Sequence, residues 1–233
     1  MADASPASPG FAASAWRIAR KDLTVEFRTR TAFFSAMVFT VLGIAIFFFA
    51  WDSTAVSSID LAPGVLWVVF TFSGLLALQR SFSVEQTDRA MDALLVSPVS
   101  REAIYAGKAI ANLLFVGAIQ LIAVPAVALF YNLPMGRPLL VLLGMAWLAA
   151  VGLVAVGTLF ASMAVNTRLA ELLLPMLSLP FFVPLVMSAS YASTKLLAGR
   201  PAAEWWPWLR ILIGFDIVFL VACTLAFPFT LEE

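Results

Sequence analysis

Residues Gln79–Lys108 read QRSFSVEQTDRAMDALLVSPVSREAIYAGK, and an apolar run lies on each side, Leu61–Leu78 before it and Ala109–Phe130 after it. Each run is close to the ~18–20 residues that cross ~30 Å of hydrocarbon at 1.5 Å per residue. The island between them carries Arg80, Glu85, Asp88, Arg89, Asp92, Arg101, Glu102 and Lys108 within thirty positions. Apolar runs separated by a charged, partly helical loop are the pattern of a polytopic helical membrane protein. The loop is the place where such a protein can take instructions from a soluble partner.

Composition agrees with that reading. Of 233 residues, 62% are hydrophobic and 12% charged, against about 25% charged in an ordinary soluble domain. The net charge is zero, so no general attraction to nucleic acid is implied. There is no histidine, and Cys223 is the single cysteine. A histidine-based zinc site, a Ser-His-Asp triad and a histidine-ligated haem therefore cannot be built from this chain alone. Cys223 sits in an apolar run and reads as a small core hydrophobe. The opening residues Met1–Ser14 are small, proline-containing and free of basic residues, and they read as a disordered tail rather than a secretory signal.

Hydropathy places six spans, at Ala32–Ala50, Leu61–Leu78, Ala109–Phe130, Leu139–Val165, Leu172–Ser188 and Leu209–Phe229. One set of flanks holds Arg17, Arg20, Lys21, Arg28, Arg30, Arg80, Arg89, Arg101, Lys108 and Arg168; the other holds Arg137, Lys195, Arg200 and Arg210. Ten cations against four put both termini and the island in the cytoplasm. The outer loops are then Trp51–Asp60, Tyr131–Pro138 and Ala189–Trp208. The segment Ala15–Arg30 predicts an amphipathic interfacial helix. Trp16, Ala19, Leu23 and Phe27 form one stripe, Arg17, Lys21 and Arg28 another, and Ile18 and Val25 a small third one. No internal repeat is visible, which argues against a transporter built from inverted halves.

Within the island, Met91, Leu94 and Leu95 share i, i+3, i+4 spacing and predict a short amphipathic helix over Glu85–Val96. Ser97-Pro98 breaks it, because the residue before proline is pushed out of the helical region. Ser100 then suits the N-cap of a following helix, with Glu102 at its positive end. The island is therefore expected to be two helical pieces hinged at Ser97–Val99, the second running into span three. A solvated loop with incidental charges fits the same spacing.

Other residues stand out inside the spans. Pro175, Pro180 and Pro184 predict a kinked or broken fifth span, read either as a flexible pathway wall or as a bent packing helix. Asp216 is an intramembrane carboxylate, costly to bury and so a functional candidate; Arg137 or Lys195 from the outer loops could pair with it. Gln120, Asn112 and Gln79 read as interhelical hydrogen-bonding groups. Trp205, Trp206 and Trp208 cluster around Pro207 as an interfacial anchor or an aromatic platform.

The island's second half, LLVSPVSREAIYAGK (94–108), resembles the cytoplasmic coupling loop of ABC-type exporter permeases, and the order of interfacial helix, two spans, loop and four spans is similar too. The likeness is closer to the haem exporter protein B (CcmB) family of the bacterial cytochrome c maturation system. It is carried by WRIARKDLTVEFRTR (16–30), DLAPGVLWVVFTFSGLLALQRSF (60–82) and the proline-rich LLPMLSLPFFVPLVMSAS (173–190). The chain departs from the family pattern where Gln79-Arg80 and TDRAMDALLVSP (87–98) lack an acidic residue before the arginine and a Gly-Ser step after it.

The resemblance implies an all-α fold with six transmembrane helices behind an interfacial helix, a single permease domain over residues 15–233 with a coupling segment at 79–108. It implies a non-catalytic subunit of the bacterial inner membrane, working with a cytosolic ABC ATPase that binds ATP. It also implies haem-handling membrane subunits, a periplasmic haem chaperone and a second copy of the chain. No cofactor is expected on this chain, with haem and ATP held by partners. Arg80, Glu85, Asp88, Arg89, Met91, Asp92, Leu94, Ser97 and Pro98 become the candidate coupling residues, and Asp216, Gln120, Pro175, Pro180 and Pro184 the candidate pathway residues. Haem export, ATP-driven release of haem-loaded chaperone, export of another lipid or amphiphile, and a non-transporting scaffold all remain compatible with these features.

Overall fold

The computed structural model describes residues 10–88, 99–164 and 170–231, and all regular structure among them is helical. Seven α-helices run as α1 (Phe11–Thr29), α2 (Thr31–Phe49), α3 (Ser58–Asp88), α4 (Arg101–Phe130), α5 (Arg137–Ala164), α6 (Ala170–Leu197) and α7 (Ala202–Ala226), followed by a 3₁₀ turn at Phe227–Leu231. Five of them, α3 to α7, are long and apolar enough to cross a membrane. A sixth is reached only when α1 and α2, bent by 70° at their junction, are taken together as one span. The architecture is that of a polytopic membrane protein with α1 packed against the first half of α4, at one end of the bundle. That end is called the α1 end below.

The α1–α2 corner follows from local chemistry. Arg30 adopts the left-handed conformation with φ 55° and ψ 0°, and its N–H donates to Glu26 O at 2.7 Å. The side chain of Glu26 reaches across the corner, where Oε1 accepts from Phe33 N at 2.9 Å. That bond satisfies one of the donors that the first turn of any helix leaves open. The turn at the far end between α2 and α3 is also held by a side chain. There the Asp52 carboxylate accepts from Thr54 Oγ1 and N, which holds its pKa below the usual carboxylate range.

The helix α5 is central, packed against α3, α4, α6 and α7. It is rich in small residues on its buried face, with Ala146, Ala149, Ala150, Gly152, Ala155 and Gly157 among them. Small residues let helix backbones approach closely where lipid supplies no hydrophobic drive between helices.

Several expectations change. The tail was read as Met1–Ser14, yet α1 begins at Phe11 and Ser14 is buried; residues 1–9 lie outside the described residues. Ala19, read into one stripe with Trp16 and Phe27, is fully buried with Ser14, Ala15 and Ile18 against α4, while Trp16 and Phe27 are 55% and 73% exposed. The helix therefore has three faces: one on protein, one apolar and open, one basic. Of the kinked or broken fifth span expected, the break does not occur: α6 is helical throughout Ala170–Leu197 with all three prolines inside it. The outer loop expected over Ala189–Trp208 shrinks to Ala198–Pro201.

The tightest point of α1 docking is Gly107 on α4, where a Cβ would sit 2.7 Å from both Ala15 O and Ile18 Cβ. Gly107→Val should lift α1 from the bundle. Maleimide labelling of a Ser14→Cys reporter would then rise by at least about fivefold as the buried face opens, with little background because Cys223 is itself buried.

Candidate functional site

The first turns of α4 gather contacts from three other parts of the chain. Ser100 caps the helix as its sequence position suggests, its side-chain oxygen accepting from Ala103 N at 3.3 Å. Arg101 Nη1 donates to Pro228 O at 3.0 Å, tying α4 to the C-terminal 3₁₀ turn. One turn further, the Tyr105 ring lies 5.2 Å from Phe227, and its hydroxyl donates to Ala155 O on α5 at 3.0 Å. Gly107 receives α1. Lys108, wholly buried, places Nζ 3.7 Å from Asp22 Oδ2 on α1. A further turn on, Asn112 Nδ2 donates to Thr158 Oγ1 on α5 at 3.2 Å, the interhelical role read for it from sequence. Ser162 and Thr230 hydroxyls, 3.4 Å apart, link α5 to the 3₁₀ turn as well.

This arrangement makes the start of α4 a mechanical junction. A buried cation is tolerated when an opposite charge and hydrogen bonds meet it, and losing a partner of a buried pair costs several kcal/mol, roughly 3–5. The junction therefore resists separation of α1, α4, α5 and the C-terminal turn.

The Gln79–Lys108 island is only partly described. Its opening does not form a separate piece, because α3 continues from the span to Asp88. Glu85–Asp88, expected to start a new helix, are instead the end of α3. Arg80, Glu85 and Asp88 thus lie on α3, with their side chains outside the described set. Arg89, Met91, Asp92, Leu94, Ser97 and Pro98 lie outside the described residues, as does most of the proposed hinge. The second half behaves as read, with α4 running unbroken from Arg101 to Phe130. Sequence reading missed the Asp22–Lys108 pair, since Lys108 counted as a loop charge. The available signal was Asp22, one turn along from the small, buried Ser14, Ala15, Ile18 and Ala19 face.

Within the spans, Asp216 lies just past the middle of α7 and is 5% exposed. Its Oδ1 rests against Gly152 of α5, in the space a Cβ there would take; Leu185 of α6 and Phe215 close the same spot. Neither carboxylate oxygen has a hydrogen-bond partner among the described residues. The expected pairing with Arg137 or Lys195 is not formed. Lys195 Nζ instead lies 3.6 Å from Glu204 Oε2, and Arg137 is exposed at the start of α5. Gln120 is fully buried on α4, yet its amide also lacks a partner among the described residues, so the hydrogen-bonding role read for it is not seen. Ser178, between Pro175 and Pro180, shares that condition. Pro184 O accepts from Ser188 Oγ at 2.7 Å. At the far end Trp208 stacks on Tyr191 at 4.6 Å, and Trp205 meets Trp206 edge-on at 6.5 Å. No group of three or more acidic or cysteine side chains suited to a metal occurs among the described residues.

The model of the CcmB protein family matches residues 13–233. The chain belongs to the CcmB family. Relatives similar to it carry the name heme exporter protein B. The one from Paracoccus denitrificans is 29% identical over 206 residues, covering 88% of this chain and 89% of the relative. The one from Pseudomonas aeruginosa is 30% identical over 197 residues, covering 84% and 88%. The Escherichia coli relative matches at 29% over 102 residues, 44% of this chain. The CcmB match takes in nearly all of α1, the α4 junction and Asp216, so each belongs to the part of the chain that the family describes.

The contact between Asp216 and Gly152 is testable within this CcmB chain. Gly152→Ala forces a methyl group into the carboxylate and should destabilise the protein by about 1–3 kcal/mol, the usual cost of overpacking. Asp216→Ala vacates that space. Thermal unfolding of the single and double variants in detergent should therefore show a coupling of at least about 0.5 kcal/mol, with the double variant more stable than additivity allows.

Proposed function

We propose that this protein is the permease subunit of an ATP-driven complex that delivers haem to the periplasm for c-type cytochrome biogenesis. The observation that carries the reading is the match to heme exporter protein B over most of both chains, together with the family match over residues 13–233. The membrane topology suits a transport subunit, and the absence of histidine from the chain fits a subunit that performs no chemistry of its own.

In this reading the α1 end faces the cytoplasm of a bacterial inner-membrane protein, following the excess of Lys and Arg on that side. A cytosolic ABC ATPase engages the segment around Arg80, Glu85, Asp88, Arg89, Met91, Asp92, Leu94, Ser97 and Pro98. ATP binding on that partner displaces the segment. The Ser100-capped α4 carries the push to α1, α5 and the C-terminal turn through the contacts of Arg101, Tyr105 and Lys108. Haem-handling membrane subunits and a periplasmic chaperone receive the result, and ATP and haem stay with partners. The motion serves haem export or the release of haem-loaded chaperone.

Replacing Met91 and Leu94 together by Asp should leave the protein inserted but uncoupled. Covalent haem in periplasmic c-type cytochromes is expected to fall by at least about tenfold, the scale of a ~1.4 kcal/mol loss of coupling. Undiminished cytochrome production with normal membrane levels of the variant would sink the proposal. Asp22→Asn tests the second half of the path. It removes the carboxylate beside buried Lys108 and should lower both α1 docking and cytochrome yield, measured in the same membranes.

A further inference from the structure

The corner between α1, α2 and α4 encloses a groove of about 520 Å³, within the range of small-ligand sites, roughly 300–1,000 Å³. Its walls are apolar: Phe27 from α1, Phe33 and Phe34 from α2, and Leu114 and Phe115 from α4. Phe33 and Phe115 meet edge-on at 5.8 Å and form its back. Two charged residues line it, Glu26 on α1 and Arg30 at the left-handed corner that follows it. Neither is fully used by the protein. Arg30 donates from Nε to Phe27 O at 3.3 Å, and its two terminal nitrogens have no partner among the described residues. Glu26 gives Oε1 to Phe33 N, and no hydrogen bond reaches Oε2 among the described residues.

The position of the groove narrows what it can hold. Exposed Trp16 and Phe27 line one face of α1, while exposed Arg17, Lys21 and Arg28 occupy another, with Arg20 at the border between them. A helix so divided lies at the boundary between headgroups and acyl chains. The groove opens beside the apolar face, at the depth where a lipid passes from charged to hydrocarbon. Its mouth offers one cation and one anion, so a headgroup carrying a phosphate and an ammonium satisfies both. A purely anionic headgroup leaves Glu26 opposed.

We propose that this groove is a binding site for one phospholipid with a phosphoethanolamine headgroup. The phosphate sits on the Arg30 guanidinium, the ammonium on the free oxygen of Glu26, and an acyl chain lies among the phenylalanines. Such a lipid completes the packing between α1 and α2 that the protein leaves open.

The test is native mass spectrometry of the full-length protein in mild detergent, titrated with phosphatidylethanolamine and phosphatidylglycerol of matched chains. The first phosphatidylethanolamine should bind at least about fivefold more tightly, a difference set by the headgroup because the buried chains are equal. Arg30→Asn suits the left-handed backbone but lacks the cation, and it should weaken this binding with thermal stability kept. Glu26→Gln keeps an acceptor for Phe33 N and should erase the preference between the two lipids. Ala118→Phe fills the groove and should abolish the tight site for both. Equal affinity of the wild type for the two lipids overturns the headgroup assignment. Unchanged binding in Arg30→Asn and Ala118→Phe overturns the site. So does efficient cross-linking of a Leu114→Cys variant to another membrane subunit in the intact complex, which would show a protein helix in the groove.

Discussion

Helices in hydrocarbon gain nothing from hiding apolar surface, so their association depends on how closely their backbones fit. That constraint governs this bundle. At Gly152, Gly157 and Gly107 there is no room for even a Cβ without a shift of Leu185, Leu78 or the α1 backbone. The central α5 meets α3, α6 and α7 through such positions, and α4 meets α1 in the same way. The few strong polar contacts are spent where fit alone would not fix register. Asn112 meets Thr158, Tyr105 meets Ala155, and Trp67 Nε1 donates to Ser193 Oγ at 3.0 Å across α3 and α6. Steric locking and sparse hydrogen bonds together make groups of helices behave as rigid bodies.

How much of this could be read from the chain depends on the physical signal involved. Span positions follow from runs of apolar residues, and those runs survive any error in the details. The Ser100 cap was legible because capping is a local affair between a side chain and a nearby N–H. Whether Pro175, Pro180 and Pro184 break the span was not, because a proline removes one bond while the neighbouring helices decide whether the rest of α6 holds. Lys108 was not legible either. A lysine at the end of a polar island looks solvated unless the small face of α1 is known to lie over it. Asp216 stood out as an intramembrane acid, but its neighbour Gly152 carries no side chain to announce the contact.

The α4 helix joins these themes. It is a membrane span and also the continuation of the polar island, and it is the element on which α1 and the C-terminal 3₁₀ turn converge. Asp22 reaches it near the N-terminus of the protein, and Pro228 near the C-terminus. The two contacts hold α1 and the C-terminal turn to a common element.

The length of α3 carries one more consequence. Its apolar portion ends at Gln79, yet the helix continues to Asp88, nine further residues that rise about 13 Å at 1.5 Å each. The headgroup layer on one side of a bilayer is only about 5–8 Å deep. At that rise the arm is longer than the headgroup layer is deep. A soluble protein gripping the tip would work at a stand-off from the membrane, without having to plough aside headgroups, and the helix beneath it would serve as a rigid stalk.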